Sequence, residues 1–91
     1  MPDEDVILQH AEIILEAVAL SESMLDRDIL EARFRARRVH SLAVAAGFPD
    51  VAHAALHVVD RLGDIAELPA HGCGEAIEAL SIAIDRAQEL R

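Results

Sequence analysis

The sequence predicts an all-α fold, an antiparallel up-and-down four-helix bundle, and three observations carry that expectation. Apolar residues recur at three- and four-residue spacing in four separate stretches, with no strand-like alternation. Glycine and proline gather between those stretches, at Gly47, Pro49, Gly63, Pro69, Gly72 and Gly74. Over half of the residues are apolar (53%), yet only Phe34 and Phe48 are aromatic, so the core is left to Leu, Ile, Val and Ala, which suits close helix packing. Short connections between amphipathic helices favour antiparallel neighbours. At 91 residues the chain reads as a single domain, 1–91, large enough for one core without a covalent staple.

The first helix is expected at about 3–20. Pro2 and the acids Asp3, Glu4 and Asp5 suit its first turn, where carboxylates meet the positive end of the helix dipole. Its apolar stripe reads Ile7, Ala11, Ile14, Val18, flanked by Leu8 and Leu15. Ser21-Glu22-Ser23 reads as an interruption, with Ser23 as an N-terminal cap for the next helix. That second helix is expected at about 24–46, the longest of the four, with Leu25, Ile29, Ala32, Ala36, Val39, Ala43 and Ala46 inside. Gly47 stops it and Pro49 opens the third, at about 49–62, with Val51, Ala55, Val58 or Val59, and Leu62 inside. The long connection that follows holds Ile65 and Leu68, expected to pack on a bundle end. The fourth helix, about 75–90, shows Ile77, Leu80, Ile84 and Ala87 on one face, widened by Ala76, Ala83 and Leu90.

The formal charge is −9, and all eight basic residues are arginines. Net acidity argues against nucleic acid as a partner. Five arginines (27, 33, 35, 37 and 38) fall within twelve residues, a basic strip on an acidic body that could steer an acidic partner. The same strip is also open to a plainer account, in which Glu31–Arg35 and similar pairs stitch a solvated face. Cys73 is alone, which rules out a disulfide within the chain and fits a reducing compartment. No apolar run approaches the ~20 residues of a membrane span, so the expectation is a cytoplasmic protein with no membrane partner.

The second helix carries a further apolar face. At 100° per residue Arg37 lies about 120° from the centre of the main stripe and His40 about 60°. Leu30, Phe34, Ser41 and Ala45 fall on the far side, with Leu42 and Val44 at its flanks. A bundle helix normally places charge there. Phenylalanine beside arginine is typical of protein contact hot spots, so Leu30, Arg33, Phe34, Arg37, Arg38, Ser41 and Val44 are candidate partner-binding residues. Cover by another part of the same chain is the alternative.

The stretch from Ala36 to Pro49, with the helix after it, resembles the histidine-containing phosphotransfer (HPt) domain of bacterial phosphorelays. That family carries an exposed histidine in mid-helix, preceded by alanine. Leucine follows two residues later, lysine three, glycine four, a small residue six and a helix-ending glycine ten. Anchored on Gly47, this chain matches with Ala36, Val39, Ala43, Phe48 and Pro49, and with Val51 and Ala55 on the next helix. As an architecture the likeness spans most of the chain; its specific part is some twenty residues. In this register Arg37 stands at the phosphoacceptor position, His40 at the lysine and Ser41 at the glycine. Arginine stays protonated and does not pass a phosphoryl group as imidazole does. Placing His40 at the acceptor position instead sets Ala43 and Val44 against the lysine and glycine, and Gly47 then arrives three residues early. The resemblance thus implies one of two forms. One is a degenerate module that binds a response-regulator receiver domain or a histidine kinase without transferring phosphate. The other uses His40 as the catalytic nucleophile, with Arg37 steadying the phosphoryl oxygens. Either form is at most a phosphotransfer intermediate, and any Mg²⁺ belongs to the partner; no cofactor and no metal is implied here. A non-catalytic adaptor that forms homodimers through helix 2 is the alternative.

His53 and His57 are four residues apart on helix 3, half of a possible zinc site. Without further ligands nearby they read as a solvated polar face beside Asp50 and Asp60. His10 and His71 read as isolated surface residues, and Cys73, between two glycines, as flexible and exposed.

Overall fold

The structure, a computed structural model, describes residues 4–63 and 72–89. Four α-helices follow one another, α1 (Glu4–Leu25), α2 (Ile29–Ala46), α3 (Pro49–Leu62) and α4 (Cys73–Glu89). No strand occurs among the described residues. Each helix packs chiefly on the next in sequence, and α1 meets α4 only briefly, so among the described residues the four-helix bundle is open along the α1–α4 edge. No helix among the described residues is long and apolar enough to cross a membrane.

The first connection differs from expectation. Ser21-Glu22-Ser23 does not break the helix; α1 runs on to Leu25. Ser23 is buried inside it and donates its hydroxyl to the Ala19 carbonyl at 2.8 Å, so it caps nothing. Residues 26–28 make the turn, with Arg27 in the left-handed region (φ 59°). Asp28 is the cap, its Oδ1 accepting the Glu31 N–H at 3.1 Å. Helix α2 therefore has 18 residues and α1 has 22, so the first helix is the longest. Leu25, expected at the head of the α2 stripe, ends α1 and is 82% exposed.

The buried stripe of α1 lies one residue away from the expected one. His10, Ile13, Leu20 and Ser23 are buried, whereas Ile7, Ala11 and Val18 are exposed and Ile14 is half-buried. Apolar residues cover so much of α1 that their spacing gives the period and not the phase. Burial of His10 also corrects its reading as a surface residue. Its Nε2 lies 3.4 Å from the Ile84 carbonyl, and its ring meets Phe48 edge-on at 5.7 Å.

Helix α2 buries Ala32, Ala36, Val39 and Ala43 as expected, and those alanines let its neighbours approach closely. Gly47 ends it with φ 78°. The Phe48 N–H reaches the Ala43 carbonyl at 2.9 Å and the Gly47 N–H that of Val44 at 3.2 Å, the paired bonds of a Schellman motif. Pro49 then starts α3, where Val51, Ala52, Ala55, Val58 and Leu62 are buried and Val59 is not fully so. Helix α4 starts at Cys73, which is buried rather than exposed, its thiol 3.3 Å from the Arg61 carbonyl. Leu80 and Ile84 are buried; Ile77 and Ala87 are half-buried. Fully burying a residue such as Ile13, Leu20, Leu62 or Leu80 stabilises the fold by about 1.5–3 kcal/mol each. The expectations for Ile65, Leu68, His71 and Leu90 lie outside the described residues.

Candidate functional site

Helix α2 turns Ala32, Ala36 and Ala43 inward, which leaves a second face outward. Leu30, Phe34 and Val44 are 64%, 52% and 59% exposed there, and Arg37, Arg38, Ser41 and Ala45 are exposed beside them. Leu30, Phe34, Arg37, Ser41 and Val44 recur at alternating four- and three-residue steps, so they form one row along the helix. The row is about 21 Å long at 1.5 Å per residue.

Arginines hold this face in place on either side. Arg35 lies toward α1, where its Nη1 donates to both oxygens of Glu16 at 2.9 and 3.1 Å and its Nε to Glu31 at 2.7 Å. These bonds, that to Glu16 foremost, hold its guanidinium above the usual arginine pKa, against a smaller opposing effect of partial burial. The same guanidinium stands 5.4 Å from the centre of the Phe34 ring, which favours one ring position. Arg38 also leans toward α1, its Nε 3.4 Å from Glu16. Arg33 turns the opposite way. It is buried and its Nε donates to the Leu62 carbonyl at 3.1 Å, so it ties α2 to the last turn of α3. Arg33 is therefore a structural residue and not part of the exposed row, because the free carbonyls at a helix end attract a cation.

The five clustered arginines thus divide. Arg27 sits in a turn, Arg33 and Arg35 join helices, Arg38 is exposed but also pairs with Glu16 of α1, and Arg37 is exposed in the outer row. His40 is half-buried and seven residues from Arg33, which places it on the α3 side of the helix rather than in the outer row. Arg37 and His40, three residues apart, are neighbours on the helix about 60° from one another, with Arg37 the more exposed. What the outer row offers chemically is recognition: an aromatic ring, two aliphatic side chains and guanidinium groups suited to carboxylate or phosphoryl oxygens.

His53 and His57 are both exposed on α3. Among the described residues no group of three or more His, Cys, Asp or Glu side chains could hold a metal ion. The helix 2 face was legible from Phe34 among arginines. A second exposed apolar face, on α1 (Ile7, Leu8, Leu15, Val18 and Leu25), was missed because the same residues also satisfy the pattern of a core stripe. Comparisons with family models, with curated proteins and with solved structures found no match to this chain.

Proposed function

We propose that this chain is a protein-docking module of HPt type. Its antiparallel up-and-down bundle presents the outer face of α2 to a receiver domain or histidine kinase of a two-component system, in the cytoplasm, without itself passing the phosphoryl group. The carrying observation is the exposure of Leu30, Phe34 and Val44 in one row with Arg37 at its centre. The short turns after α1 and α2, and the packing of each helix on the next, support the up-and-down arrangement. Arg37 stands where the family resemblance puts the phosphoacceptor, and it is exposed; His40, one turn further on, is half-buried. That favours the non-transferring form over His40 as a nucleophile. The partner is a surface with an apolar patch ringed by carboxylates, which matches the phosphoaspartate pocket implied by the resemblance.

The test is to incubate the protein with phosphorylated receiver domains in a binding screen. Expected is a complex that Phe34→Glu weakens at least about tenfold, since it removes a central aromatic anchor, with no label transferred to the wild type and no effect of His40→Ala on binding. Label on wild type that is lost in His40→Ala would replace this form with the transferring one. Failure to bind any receiver or kinase would remove the signalling reading.

The exposed Leu30, Phe34 and Val44 also suit a homodimerising adaptor. A two-fold pairing of that row about its middle sets Arg37 against its own copy, and like charges in contact are unfavourable. Light scattering decides this point: a monomer in both wild type and Phe34→Glu removes the adaptor dimer.

A further inference from the structure

Among the described residues, the edge between α1 and α4 is a second large unpartnered surface. An open groove of about 440 Å³ lies along it. Its apolar lining includes Ile14, Val18 and Leu25 from α1 with Ile84 from α4, and Glu22 and Asp85 are among its polar lining. From Ile14 to Leu25 the α1 wall is about 16 Å long, three turns of helix. The α1 positions 7, 11, 14, 18, 21 and 25 alternate four and three apart, the spacing with which one helix receives another.

Charge narrows the occupant. Helix α1 carries five carboxylates (Glu4, Asp5, Glu12, Glu16, Glu22) and no basic residue; α4 carries four carboxylates against Arg86 alone. Their combined formal charge is −8, whereas α2 and α3, with five arginines and three carboxylates, together carry +2. A second copy offering the same edge would set carboxylates against carboxylates. We infer that the α1–α4 groove receives an amphipathic helix of a partner protein, with aliphatic residues at three- and four-residue spacing and arginine or lysine along both flanks. The aliphatic row covers Val18 and Leu25 and completes the seam, while the flanking cations meet Glu22 and Asp85.

The experiment is an anisotropy titration with a labelled synthetic helical peptide of about 18 residues, leucine at its a and d positions and arginine at e and g, beside a twin with glutamate at e and g. Expected is binding of the arginine peptide at about 50 mM salt, at least about tenfold tighter than the twin, that weakens several-fold at about 300 mM. Leu25→Glu and Val18→Glu, both at exposed positions that the fold tolerates, should each weaken it at least about tenfold. Phe34→Glu, on the α2 face, should leave it unchanged, so this result stands or falls apart from the docking reading for α2. Equal binding of the two peptides, binding of neither, or indifference to Leu25→Glu and Val18→Glu would overturn the inference. So would sedimentation showing a wild-type dimer that Leu25→Glu dissociates, because a second copy would then be the occupant.

Discussion

Helices α1 and α2 each carry two apolar rows, but only α2 announces which one is inside. Along α2 the inner row is alanine-rich (Ala32, Ala36, Val39, Ala43), and the other side is marked by Arg37 and Arg38. Along α1 the competing rows both hold large aliphatic residues: Ile13 and Leu20 in one, Ile7, Ile14, Val18 and Leu25 in the other. Charge on the outside fixes rotational phase; hydrophobicity on both sides leaves it to the neighbours. That contrast explains why the centre of the expected α2 stripe, Ala32 to Ala43, is buried, although Leu25 at its head is exposed and Ile29 and Ala46 are half-buried, while the expected α1 stripe lies one residue off. It also separates two exposed apolar faces, one beside arginines on α2 and one beside carboxylates along α1.

The largest test of the contrast is in α1. Leu20→Ala should lower stability by about 2–5 kcal/mol, while Leu15→Ala, at an exposed position, should change it by less than about 0.5. Urea denaturation of the pair measures both, and equal losses would mean that α1 is rotated from the position described. Next comes the matching pair in α2. Ala36→Leu overfills a fully buried site and should cost about 1–3 kcal/mol, whereas Ala45→Leu on the outer face should stay within about 0.5. Tolerance of leucine at residue 36 would show that the alanine row is loosely packed. The smallest effect sharpens the boundary between the two helices. Asp28→Ala should cost about 1 kcal/mol through the lost cap, and Ser23→Ala less than about 0.5, since its hydroxyl bonds inside a helix where alanine is well suited. The opposite order in thermal melts would restore Ser23 as the cap.

Much of the fold was legible because Gly47, Pro49 and Gly63 punctuate it. The limits of α3 were read as they stand, since proline at the first turn and glycine at the end act through local backbone geometry alone. The turn between α1 and α2 was misplaced because it contains neither glycine nor proline. Arg27 adopts a positive φ there, and no propensity rule would nominate an arginine for it. His10 and Cys73 were misread for a related reason: each is buried by a partner distant in sequence, the carbonyl of Ile84 in one case and that of Arg61 in the other. At the candidate site, composition exposed the Phe34 row, but it could not say that Arg33 would turn inward to the end of α3.

Consecutive packing has a kinetic consequence. The α1–α2 and α2–α3 interfaces are each closed by a turn of two or three residues, so little loop entropy is lost in forming them. Such local topology favours folding in microseconds to milliseconds. It also leaves α1 and α4 with one full neighbour each, while α2 and α3 have two. Amide protons of the outer pair should accordingly exchange with solvent ahead of those in the inner hairpin, and any molecule that bridged the outer pair would slow that exchange without touching the hairpin.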